Sequence, residues 1–183
     1  MKARKIYDII KRIVLENYIL FFCCNFSGYI TANLLVWVPP GFHDDAMFLM
    51  GVPYGIISYY CLFKENRINF FYWVIASGIA FFIAMIFGAA SHSNSDSSAA
   101  VFPSIVGAIL LVSFVNFRLN IRRWNIYYIL AILHGIGGGY IMTYLLPGGD
   151  NGEMKLYLFY FIWQFGISLI IKEMVKNAVR KKT

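Results

Sequence analysis

The basic residues of this chain fall in every second gap between its long apolar runs. Fifteen of the sixteen Lys and Arg lie in segments 1–17, 64–68, 118–124 and 172–183. The intervening gaps, 39–45, 91–98 and 147–155, hold one base, Lys155, and five acids: Asp44, Asp45, Asp96, Asp150 and Glu153. Lys and Arg close to a membrane span stay on the cytoplasmic side, so this alternation sets the number and direction of crossings. It predicts an all-α integral membrane protein: a bundle of six transmembrane helices with both termini cytoplasmic. Threadings with four or five spans separate the charges less well.

The spans are expected at about 18–38, 46–63, 69–90, 99–117, 125–146 and 156–171, the last being the shortest. Each is close to the ~20 residues that cross ~30 Å of hydrocarbon. Trp73 and Trp124 fall at inner boundaries and Trp37 at an outer one, where indole rings anchor spans at the interface. Ahead of the first span, Ile6, Ile9, Ile10 and Ile13 alternate with Lys2, Arg4, Lys5, Lys11 and Arg12. That spacing predicts a basic amphipathic helix over 1–17, on the inner membrane surface or extending the first span. The expected organisation is therefore this segment, a membrane domain over 18–171, and a basic cytoplasmic tail over 172–183.

Composition agrees with lipid as the solvent. The chain is 60% hydrophobic and 14% charged, against roughly 25% charged in soluble domains. The net charge of +7 is accounted for by topology, so no nucleic-acid partner is expected. The first apolar run ends in no cleavage site of small residues, so it reads as a retained span. Abundant Phe, Tyr, Ile, Asn and Lys suggest an AT-rich gene, of the kind common in bacteria, and place the chain in a bacterial inner membrane. Cys23, Cys24 and Cys61 fall inside spans and read as small buried hydrophobes. The loops are too short for a nucleotide-binding domain, and no cofactor is expected. His43, Asp44, Asp45, His92 and Asp96 come from separate outer loops with no ligand spacing, so they are not read as a metal site.

No Asp, Glu, Lys or Arg falls at the centre of a span. Proton pumps and voltage sensors usually need such groups. The mid-depth polar residues are neutral: Asn25, His134 and Gln164. Together they could line a polar site, or each could join two helices by a hydrogen bond. His134 is the one of the three that could titrate near neutral pH. Pro53 in Gly51-Val-Pro-Tyr-Gly55, and Gly135, Gly137, Gly138 and Gly139 after His134, suggest a kinked or opened backbone in spans two and five. Interrupted helices at matching places in inverted halves point to a transporter site. Small residues at every fourth position, Ala76, Ala80, Ala84 and Gly88 in span three and Ala131, Gly135 and Gly139 in span five, predict close helix packing. Phe81, beside that stripe, should tolerate Leu far better than Ala80 if it faces lipid.

These features suggest a non-enzymatic small transporter or pore for a neutral or small solute, forming a homo-oligomer. No nucleophile elbow or metalloprotease motif suggests catalysis. The alternative is a membrane sensor or anchor subunit of a larger assembly, such as phage defence, toxin immunity or secretion. It would recruit a soluble cytoplasmic protein, or anionic lipid, through Arg118, Arg122, Arg123, Lys172 and Lys176.

Overall fold

A computed structural model describes residues 13, 15–37, 48–63, 68–91, 101–121, 124–141 and 152–179. Among them are six α-helices and no strand: α1 Tyr18–Trp37, α2 Gly51–Leu62, α3 Phe70–Ser91, α4 Val101–Leu119, α5 Trp124–Tyr140 and α6 Gly152–Val179. Most of segment 1–17 lies outside the described residues, as do the outer-loop His and Asp residues, Arg122 and Arg123. The side chains of Trp37 and Trp124 do too.

Apolar residues face both inward and outward. Leu111, Val112, Val115, Ile167 and Ile171 are fully buried, whereas Phe117 is 81% and Phe71 70% exposed. An outer surface this apolar suits lipid and not water. Three helices, over Phe70–Phe87, Val101–Leu119 and Met154–Val179, are long and apolar enough to cross a membrane. Their length and composition suit a membrane protein.

α6 differs in length from the sequence expectation. α6 was expected to be the shortest span and is the longest helix, at 28 residues. It continues because its last turns are amphipathic: Ile171, Met174 and Val175 are buried, while Lys172, Glu173 and Lys176 face outward. A hydropathy limit at the first charge cut the span short. The start of the basic tail is therefore helical. α2 has 12 residues and is preceded by helical Phe48 and Leu49 and a turn at Met50.

Each helix packs on the next in sequence, and α6 closes the series by packing on α1. α6 also touches α2 and α4, so it runs along the middle of the bundle. Asn69 starts α3 by accepting the backbone N–H of Phe71 at 2.9 Å, as N-cap residues do. Asn120, with φ +50°, ends α4 in the left-handed conformation that Asn tolerates.

Candidate functional site

Close approach between helices is set by residues without side chains. A Cβ at Gly28 on α1 would lie 2.9 Å from the Phe161 nitrogen on α6, and one at Gly55 on α2 would lie 2.9 Å from the Val74 Cα on α3. A Cβ at Gly135 on α5 would lie 2.6 Å from the Ile105 Cα on α4, and Gly139 meets Val101 in the same way. Ala131, one turn before Gly135, is fully buried. Gly138 faces Trp163, whereas Gly137 has open space around it.

The α3 stripe is less uniform. Ala80 is buried, and Ala76 and Ala84 are half-buried. Gly88 lies in the helix, beyond the described side chains. The closest approach to α2 uses Ser77 and Gly78 instead, which meet Gly51. Phe81 does not face lipid. It is 5% exposed, with its ring 5.2 Å from Trp163 and 6.2 Å from Tyr160. Trp73 is likewise buried rather than an interface anchor, because Ser58 on α2 supplies its indole N–H with an acceptor at 2.9 Å.

The α5 glycines do not interrupt their helix, whereas a turn at Met50, three residues before Pro53, separates helical Phe48 and Leu49 from α2. Pro53 lies in the first turn of α2, where a missing N–H leaves no bond unmade. α5 stays helical through Gly135, Gly137, Gly138 and Gly139 to Tyr140.

Several buried polar groups lie along a seam where α6 meets α1 and α2, while Ser77 on α3 and Ser104 on α4 are buried outside it. The Thr31 hydroxyl on α1 donates to the Met50 carbonyl at 3.2 Å. The Gln164 amide nitrogen on α6 donates to Thr31 Oγ1 at 3.3 Å. One turn along α6, Ser168 Oγ accepts from the Cys24 thiol at 3.6 Å and lies 2.9 Å from the Tyr54 hydroxyl. Ser58 donates to the Tyr54 carbonyl and accepts from Trp73. Cys24, Ser27, Thr31, Tyr54, Ser58, Gln164 and Ser168 are all at most 1% exposed. Two oxygens in the seam, Ser27 Oγ and Gln164 Oε1, have no hydrogen-bond partner among the described residues. An unpaired buried polar group costs about 1–3 kcal/mol.

The three mid-depth residues of the sequence reading do not share a site. Gln164 faces α1, through Thr31. His134 faces another side of α6: its Nε2 lies 2.9 Å from the Trp163 carbonyl oxygen, and its ring lies against Gly166. Residues 164 and 166 point about 200° apart around a helix, so α6 stands between the imidazole and the amide. Asn25 is half-buried on α1, while its neighbours Cys24 and Thr31 make the bonds across the seam. Sequence reading missed Ser27, Thr31, Tyr54 and Ser168. The signal was present for α1: Cys24, Gly28 and Ala32 repeat at every fourth position, with Ser27 and Thr31 on the adjoining face.

The basic residues considered for partner binding are partly engaged within the chain. The Arg118 guanidinium lies over the Tyr72 ring, 5.5 Å from its centre. Lys172 donates to Asn17 Oδ1. Lys176 pairs with Glu173 at 3.3 Å, an exposed contact worth ~0–1 kcal/mol. No group of three His, Cys, Asp or Glu that could hold a metal occurs among the described residues. Compared with known protein families, curated proteins and solved structures, the chain shows no significant match.

Proposed function

We propose that this chain is a non-enzymatic bacterial inner-membrane protein, working as a small transporter or pore for a neutral or small solute. In this reading it has six spans, cytoplasmic termini, and further copies of itself as partners. The observation that carries it is the polar seam between α1, α2 and α6, which holds two of the three unpaired buried oxygens among the described residues, the third being Asn116 Oδ1 on α4. A protein stabilised only by packing gains nothing from such oxygens. A protein that passes a polar solute needs groups that exchange partners.

The chemistry of the seam favours an uncharged cargo. Its groups are hydroxyls, a thiol, an amide and backbone carbonyls, with no ionised side chain to neutralise a charged one.

Purified protein in liposomes, assayed by osmotic swelling in glycerol and in urea, tests this reading. Faster swelling than in empty liposomes for either solute, clearly reduced per folded protein by Gln164→Leu, is the expected result. Swelling equal to that of empty liposomes in both solutes would overturn it and leave the anchor or sensor reading. In that case Arg118, Arg122, Arg123, Lys172 and Lys176 would be the residues to reverse in pull-downs with cytoplasmic proteins.

A further inference from the structure

The register of α1 against α6 brackets Ser27. Thr31 is bonded to Gln164 on one side, and Cys24 is bonded to Ser168 on the other. Ser27 lies three residues after Cys24 and four before Thr31, on the same helical face. It therefore looks onto the turn of α6 between Gln164 and Ser168. Its hydroxyl and the Gln164 carbonyl oxygen are the two seam oxygens without a hydrogen-bond partner among the described residues.

Proton counting fixes what is missing between them. The single Thr31 proton goes to the Met50 carbonyl. Thr31 can therefore only accept from Gln164, and the Gln164 amide must turn its nitrogen towards it. Flipping the amide would set two acceptors face to face. Gln164 Oε1 is thereby held as an acceptor with no donor, while Ser27 can both donate and accept.

We propose that Ser27 and Gln164 form a binding station for one small neutral hydrogen-bond donor of the size of water. The occupant donates to Gln164 Oε1 and accepts from, or donates to, Ser27 Oγ. It extends the Met50–Thr31–Gln164 bonds to Ser27. Polar interiors usually meet such a need with ordered water. The station rests on these hydrogen bonds alone; its place on a permeation path rests on the transport reading.

Detergent melting curves of wild type, Ser27→Ala, Gln164→Met and the double variant test the station, with water as the occupant. If a molecule bridges the two residues, Ser27→Ala lowers the melting temperature by about 3 °C or more and has no such effect once Gln164 is Met. If the site is dry, Ser27→Ala removes an unpaired hydroxyl and raises the melting temperature. That result, or an equal fall in both backgrounds, overturns the proposal. Gln164→Leu replaces Gln164→Met if the latter does not fold. Water and urea permeation of the same proteins in liposomes separates the two readings. Coupled melting without permeation keeps the station and removes the transporter, while permeation without coupling does the reverse.

Discussion

His134 on α5 places Nε2 2.9 Å from the Trp163 carbonyl oxygen on α6, and its ring rests against the backbone of Gly166. A carbonyl only accepts, so Nε2 carries the ring proton in this contact. The imidazole is thus a tie between two helices, and Gly166 is the space that admits it. We expect Gly166→Ala to destabilise the protein by about 1–3 kcal/mol, the usual cost of overfilling a packed interior. A detergent melt checks this. A wild-type melting temperature would mean the ring can move aside at no cost.

Removing the imidazole should affect stability more than permeation. We expect His134→Ala to cost about 0.6–2 kcal/mol, the range for a hydrogen bond between membrane helices. His134→Gln should recover part of it, because an amide also donates. Swelling rates per folded protein should stay near wild type in both. Loss of swelling in a fully folded His134→Ala protein would return this residue to the permeation path.

The glycines of α5 should separate by environment and not by residue type. Gly135→Ala should destabilise, because a Cβ would meet the α4 backbone at Ile105. Gly137→Ala enters open space and should be neutral, or stabilise by up to about 1 kcal/mol through helix propensity. Melting both variants side by side tests this. Equal losses at the two positions would contradict the assigned α4–α5 face.

Phe81 and Phe82 are adjacent but face different surroundings, at 5% and 36% exposed. Phe81→Ala should cost about 3–5 kcal/mol, as for other buried aromatics. Phe82→Ala should cost clearly less. Ala80→Leu should disrupt folding, because Ala80 is 1% exposed and has no room to enlarge. Comparable yields and melts for all three variants would show that the α3 face is wrongly assigned.

The proposed threading is tested without any assay of function. In a cysteine-free background, single cysteines at Ser95 and Thr183 should label from opposite sides, Ser95 from the periplasm and Thr183 only after the membrane is opened. Labelling of Thr183 in intact cells would eliminate the arrangement with both ends inside.

The apolar runs and the absence of charge within them determined that this chain is helical and suited to lipid, because a bilayer leaves a backbone little choice but to satisfy its own hydrogen bonds. Four of the six helices, α1, α3, α4 and α5, begin within about two residues of the expected positions, since that signal is local. The repeat Ala131, Gly135 and Gly139 was legible for the same reason: close approach requires small residues at helical spacing. The length of α6 was not, because buried Met174 and Val175 lie beyond charges that end a hydropathy window. Of the seam, only Gln164 and the small-residue repeat of α1 were legible. Hydroxyls such as Ser27, Thr31 and Ser168 are ordinary in membrane helices, and a sequence does not show which of them face one another. That depends on how α6 is rotated between α1 and α5. The rotation turns Gln164 to Thr31 and the Trp163 carbonyl to His134, placing on opposite sides of one helix two residues that depth alone had put together.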